Sequence, residues 1–351
     1  MISQDNAQRP AGVPVLAVVG TRPDARLEYA TELARTLDRQ LVTSFQLRGA
    51  EEPASEASRL TARVETPAGA VVEIPDRVST ADLTAELSST ASAARLEDVI
   101  CVVDAAHGVQ DLFREDYLVP RSGHPSTATA RSLVSITHVE YASLIVLVNW
   151  EDVPTDELRT LLALVHHLSP RARVRLLEDL ADIRDTLPAL PAAPGYDAHL
   201  DRPGWVNVLA NEFETFIHDD RVAALHYDCA RPFHPVRMHE LVHELMTPER
   251  FGTVVRSAGY CRVASSANVT GHWNHVGKVM ALSPVSLDDD LELLLDPWAD
   301  TDPLTVGQSL AFIGLDLDRE GLISALDRAV LTDEEFLAGP SAWAEQVKRL
   351  P

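Results

Sequence analysis

The sequence predicts an α/β protein, a parallel sheet flanked by helices followed by a smaller α+β domain, and three observations carry that prediction. Residues 13–20 (VPVLAVVG), 98–105 (DVICVVDA) and 143–150 (SLIVLVNW) are continuous apolar runs rich in β-branched residues, spaced by segments of helical character. Residues 183–205 are interrupted by Pro188, Pro191, Pro194 and Pro203. Beyond them, extended and helical stretches alternate on a smaller scale.

Continuous apolar runs suit the strands of a parallel sheet because helices cover both faces and no residue has to meet water. Residues 26–38 (RLEYATELARTLD) and 155–168 (TDELRTLLALVHHL) fit the crossover helices, the second with Thr155 placed to cap its first turn. In such a sheet the loops after the carboxyl ends of the strands form the ligand crevice, which puts residues 20–26, 104–109 and 149–152 on one rim. The prolines of 183–205 oppose both helix and central strand, so this stretch is expected to link a first domain, 1–182, to a second, 206–351. In the second domain, 218–235 is expected to be extended, 236–247 (VRMHELVHELMT) helical, 254–265 and 309–317 strand-like, and 318–337 helical. This mixture predicts a mainly antiparallel sheet. The acidic stretch near Asp288 is too short to count as low complexity.

With 53 acidic against 30 basic side chains the formal charge is -23, a field that repels nucleic acid and favours a basic protein as partner. Three dispersed cysteines, Cys101, Cys229 and Cys261, argue against a disulfide framework and for a reducing, cytoplasmic setting. No signal-peptide pattern opens the chain and no run of eighteen apolar residues occurs, so neither secretion nor membrane spanning is expected. Covalent catalysis has no support: there is no G-x-S-x-G, and Cys101 lies within an apolar strand.

The loop after the first strand reads Gly20-Thr21-Arg22-Pro23-Asp24-Ala25-Arg26-Leu27. A phosphate-gripping loop, G-x-x-x-x-G-K-[ST], needs glycines for close amide approach, a lysine for charge and a hydroxyl for magnesium. Here only Gly20 matches. Ala25 replaces the second glycine, Arg26 the lysine and Leu27 the hydroxyl, while Pro23 removes a donor and Asp24 adds a negative charge. Arg26 is open to two readings, a phosphate cation or part of an ordinary strand-to-helix turn.

Further along, 232–241 (PFHPVRMHEL), 254–265 (VVRSAGYCRVAS), 310–336 and 339–346 (GPSAWAEQ) resemble, in order, blocks of the CobW C-terminal domain. Residues 101–113 (CVVDAAHGVQDLF), 138–153 (HVEYASLIVLVNWEDV) and 166–174 (HHLSPRARV) resemble the middle and end of the same family's GTPase domain. The resemblance implies a P-loop GTPase-like domain carrying a CobW C-terminal domain, with GTP and zinc as ligands and roles in metal insertion, metal allocation and zinc homeostasis. It also brings in actinobacterial members that recruit a ribosome hibernation factor in a zinc-responsive way. The partner expected is accordingly that factor or proteins of the small ribosomal subunit.

Measured against the family's guanine-reading N-K-x-D, the segment Asn149-Trp150-Glu151-Asp152 keeps both polar ends and loses the lysine. Weak nucleotide binding through Gly20, Arg26, Asn149 and Asp152 is what remains, with helix capping by Asn149 and Asp152 as the other reading. Asp104 matches a mainly structural aspartate, and 71–77 (VVEIPDR) keeps Glu73 of the family's Glu-x-Ser-Gly segment but not its glycine. The family's C-x-C-C metal motif has no counterpart, since residues 44–66 contain no cysteine.

Histidines gather between residues 226 and 275. His239 and His243, four apart on a helix, share a face, and His234, Cys229 or Glu240 would supply a third zinc ligand. A solvated helix face is the alternative. His272 and His275, around Trp273, are expected to pack. The reading that follows is a CobW-type protein with a degenerate nucleotide site acting as a zinc-responsive adaptor. The alternative is an active GTP-hydrolysing metallochaperone of zinc or cobalamin metal homeostasis.

Overall fold

The computed structural model describes residues 12–89, 92–118, 129–187, 196, 203–247, 249–266, 268–287, 307–339 and 342–343. The acidic stretch from Asp288, most of 188–202 and the end of the 339–346 block lie outside the described residues. The chain divides into two compact units, the first made of 1–111, 117–158 and 171–202, the second of 112–116, 159–170 and 203–351.

The first unit holds β1 (Val13–Gly20), α1 (Pro23–Leu37), β2 (Gln40–Val42), α2 (Ser44–Leu47), α3 (Pro53–Thr61), β3 (Ala70–Glu73), α4 (Thr80–Ser88) and β4 (Ala94–Asp104). After α5 (Gly108–Leu112) come the short pair β5 (Tyr117–Leu118) and β6 (Thr129–Ala130), then α6 (Arg131–Glu140), β7 (Leu144–Val148), α7 (Thr155–Leu168), β8 (Arg173–Leu176) and α8 (Ile183–Thr186), α7 from Arg159 onward counting with the second unit. The six-stranded sheet runs β2-β3-β1-β4-β7-β8, and every pairing in it is parallel. The predicted apolar runs are its central strands, and Val15 to Val19 are buried without exception, as covering on both faces requires. One face is closed by α1, which sets Tyr29, Ala30, Leu33 and Ala34 at helical spacing against Leu16, Val18 and Ile100.

Two expectations are corrected here. Helix α1 starts at Pro23 rather than Arg26, because proline at the first helical position lacks only a donor that would be orphaned anyway and its φ is already helical. The proline-rich stretch begins with a helical turn, α8, whose fully buried Ile183 joins the α1 core. Its first proline comes only after the turn ends, so nothing there opposes helix. At Gly69 a left-handed φ of 90° turns the chain into β3, and a β-carbon would stand 2.1 Å from the Pro14 carbonyl oxygen, so no other residue fits.

The second unit holds α9 (Gly204–Leu209), β9 (Val222–Cys229), α10 (Pro235–Met246), β10 (Thr253–Cys261), β11 (Val269–Val276), β12 (Val279–Leu287), β13 (Gln308–Leu315), α11 (Arg319–Ala329) and α12 (Asp333–Leu337). Its sheet, β12-β11-β10-β13-β9, is antiparallel throughout, as predicted. Alternation along β13 divides two cores: Leu310 and Phe312 join Leu241, Leu245, Leu322 and Leu326 from α10 and α11, whereas Ala311 meets Trp205 of α9. The run 318–337 is two helices, not one. Val330 leaves the helix to bridge Phe233, and Thr332 opens α12 through a capping box with Glu335. Among the described residues no helix is long and apolar enough to cross a membrane.

Candidate functional site

In the first sheet the strand order reverses at β1, with β3 on one side and β4 on the other, so the β1–α1 loop lies at the switch point where parallel sheets form their crevice. Gly20 is required there for packing: a β-carbon would come 2.5 Å from the Val102 carbonyl oxygen of β4. Arg26, one turn into α1, is fully buried. Its Nε donates to Glu73 Oε1 at 2.7 Å and its Nη1 to the Gly20 carbonyl at 2.8 Å. The other oxygen of Glu73, itself buried at the end of β3, accepts from the Ser44 backbone N–H at 2.5 Å. Nη2 of Arg26 is buried with no partner among the described residues.

The rest of the loop is tied to Asp111 of α5. Thr21 Oγ1 donates to Asp111 Oδ2 at 2.7 Å, and Arg22 Nε to the same oxygen at 2.9 Å. Both cations of the loop are thus paired with carboxylates of the chain itself. Leu27, where a magnesium-holding hydroxyl would stand, is an exposed hydrocarbon. The loop's two arginines are thus committed to Glu73 and Asp111, and position 27 offers no hydroxyl.

At the neighbouring strand ends, Asn149 takes a left-handed φ of 53°, which asparagine tolerates, and its amide donates to Asp104 Oδ2 at 3.3 Å. Asp104 Oδ1 accepts from the Ala106 N–H at 3.1 Å, the turn role expected of it. Asp152 is exposed. The structure thus brings Asn149 to Asp104, and Gly20 to Arg26.

His138 of α6 was not singled out by the sequence. It is fully buried, its Nε2 donates to the Val78 carbonyl at 3.4 Å, and burial, aided by the Arg26 charge, pushes its pKa down to about 4. His275 in the second unit is also pushed down to about 4 by burial. Both rings are neutral in the fold, so from pH 6.5 downward the unfolded chain binds protons the folded chain refuses. Each should remove about 1.4 kcal/mol of stability per pH unit between roughly 6.5 and 4, and neither contributes any slope above that window. Urea midpoints at pH 7 and pH 5 test this; equal midpoints would show that both rings protonate inside the fold.

The histidines of α10 and β11 lie in the second unit. His234 caps α10 through its ring nitrogen, accepting from the Val236 N–H at 3.3 Å. His239 and His243 are exposed on α10, edge to face at 5.4 Å between ring centres. His234 is not brought into that pair, and among the described residues no group of three or more His, Cys, Asp or Glu side chains converges as a metal site. His275 Nδ1 and Trp273 Nε1 both meet the Ser257 hydroxyl, at 3.1 and 2.8 Å, the packing role expected of this strand. All three cysteines are free. Burial pushes the Cys101 and Cys261 thiols up to about 12, and Cys229 is half-buried.

Residues 222–330 match the family model of the cobalamin synthesis protein cobW C-terminal domain. This matched segment, the central part of the second unit, is a CobW C-terminal domain. The chain is 25% identical over 269 residues to zinc-regulated GTPase metalloprotein activator 1 of Dictyostelium discoideum, covering 71% of this chain and 55% of that protein. It is 26% identical over 280 residues to a zinc chaperone of Mycobacterium tuberculosis, covering 72% and 61%. The chain thus spans little more than half the length of these curated relatives. Among solved structures it matches the Zn(II)-bound YjiA GTPase from E. coli with a TM-score of 0.32 and 12% identity, covering 92% of this chain and 100% of that one.

Proposed function

We propose that this CobW-type protein works in zinc-linked homeostasis as an adaptor that contacts other proteins, its nucleotide site being degenerate. The observation that carries the reading is the state of Arg26, fully buried and held by Glu73 and the Gly20 carbonyl rather than turned to a phosphate. Asp111 holds Thr21 and Arg22 in the same way. The zinc link is supported by the names of two relatives, a zinc-regulated GTPase activator and a zinc chaperone. The most specific form of the reading is recruitment of a ribosome hibernation factor. An acidic chain of formal charge -23 suits that role, since it attracts basic ribosome-associated proteins and repels RNA itself.

The test is phosphate release from GTP with Mg²⁺. No release above the buffer blank is expected; sustained release that disappears in a folded Arg26→Ala variant would refute the degenerate site. A pull-down from zinc-replete cells addresses the partner, with enrichment of a hibernation factor or of small-subunit proteins expected.

One observation favours a second reading, an active GTP-dependent metallochaperone. Arg26 Nη2 lies buried without a partner at the strand-end rim, a free cationic donor that an anion would satisfy. Arg26-dependent turnover in the same assay would establish it.

A further inference from the structure

The second unit contains a cavity of about 220 Å³ that none of the preceding roles uses. Its wall is built from the end of α7, the loop before β9, the first residues of β9 and the start of α11, and it includes His167, Phe213, His218, Asp219 and Arg319. The volume is below that of a pocket for a drug-sized molecule, so the occupant must be small.

Its uncommitted polar groups are nitrogen donors. Arg319, the first residue of α11, is exposed, and its guanidinium makes no ion pair or side-chain hydrogen bond with a described residue. His218 is exposed at the same cavity. His167 is buried, and its Nδ1 donates to the Ala163 carbonyl at 2.7 Å, which leaves Nε2 as its remaining polar atom. The one carboxylate, Asp219, is already occupied: Oδ2 accepts from Thr160 Oγ1 at 3.1 Å and Oδ1 from the Arg221 N–H at 3.0 Å. His166, next along α7, is engaged elsewhere, accepting from the Phe216 N–H at 3.1 Å. In a chain with a formal charge of -23, this concavity is unusual in that Arg319 balances Asp219 and its uncommitted groups, a guanidinium and two imidazoles, offer N–H donors.

We infer that this cavity binds a small phosphate-type oxyanion, with Arg319 as its fixed cation and His167 and His218 as further donors. Three nitrogen groups from three separate segments match an anion with three or four oxygens better than the two oxygens of a carboxylate. A cation is disfavoured, since among the described residues no metal-ligating group forms. Burial holds His167 below its ordinary pKa, its bond to the Ala163 carbonyl opposes this, and the nearby His166, His218 and Arg319 lower it further, a contribution that an anion seated among them would reverse.

The histidine ring protons of the full chain, followed by NMR, provide the test, with inorganic phosphate titrated against chloride at constant ionic strength. Expected are saturable shifts of the His167 and His218 signals, a rise in the His167 pKa, and at least about tenfold weaker binding in Arg319→Gln. Arg319 is exposed at a helix start, so that variant keeps its fold, and unchanged circular dichroism would confirm it. Absence of saturable shifts, or equal responses in wild type and Arg319→Gln, would overturn the site. An acetate titration that matched phosphate in affinity would overturn its assignment to the phosphate class.

Discussion

Replacing Glu73 with alanine is expected to destabilise the first unit by about 3–5 kcal/mol, the cost of leaving a buried charge without its partner. Arg26 has no exposure to water, so once the carboxylate is gone its guanidinium retains only the Gly20 carbonyl. The Ser44 backbone N–H loses its acceptor in the same step. For a unit of this size the loss corresponds to a drop in melting temperature of about 10 °C, measurable by calorimetry. The double variant Arg26→Met/Glu73→Met should recover most of it, because removing both charges also removes their desolvation cost. A loss below about 1 kcal/mol in Glu73→Ala would show that the pair does not hold the loop.

In the second unit the largest effect is expected from Trp273→Ala, again about 3–5 kcal/mol, read from its urea unfolding transition by circular dichroism. Trp273 is fully buried, packs at 6.0 Å between ring centres from Phe233, and faces Gly259 on the adjacent strand. Its removal empties the space between β10, β11 and Phe233. It also takes a donor from the buried Ser257 hydroxyl, which then keeps only His275. Trp273→Phe should cost distinctly less, since it fills most of the volume and loses chiefly the hydrogen bond. Equal costs for the two variants would mean that the hydrogen bond, not the packing, dominates.

What the sequence could and could not reveal follows from the range over which each interaction acts. The strands β1, β4 and β7 were legible because burial on both faces imposes long apolar runs. β2, of three residues, and β8, whose four residues include Arg173 and Arg175, leave no such mark at the sheet edges. Helix α7 was legible from its periodicity to the residue, whereas the start of α1 shifted because a proline is as good a first helical residue as any. In the loop, the substitutions at 25–27 could be read directly. The replacement circuit could not, because Arg26 finds Glu73 after 47 residues and Thr21 finds Asp111 after 90. No local pattern announces a partner at that distance, and a lone aspartate on a short helix carries no sign of what it will hold. The histidine pair on α10 illustrates the converse: spacing correctly put two rings on one face, but their third partner depended on a cap position that spacing does not describe.

The uneven burial of the three thiols has a practical corollary for anyone attaching a probe. Two of them are sealed within strands and stay protonated throughout the neutral range, while Cys229, at the end of β9, is only partly buried. A maleimide dye added to the native wild-type chain is therefore expected to react first at Cys229, on the CobW C-terminal domain.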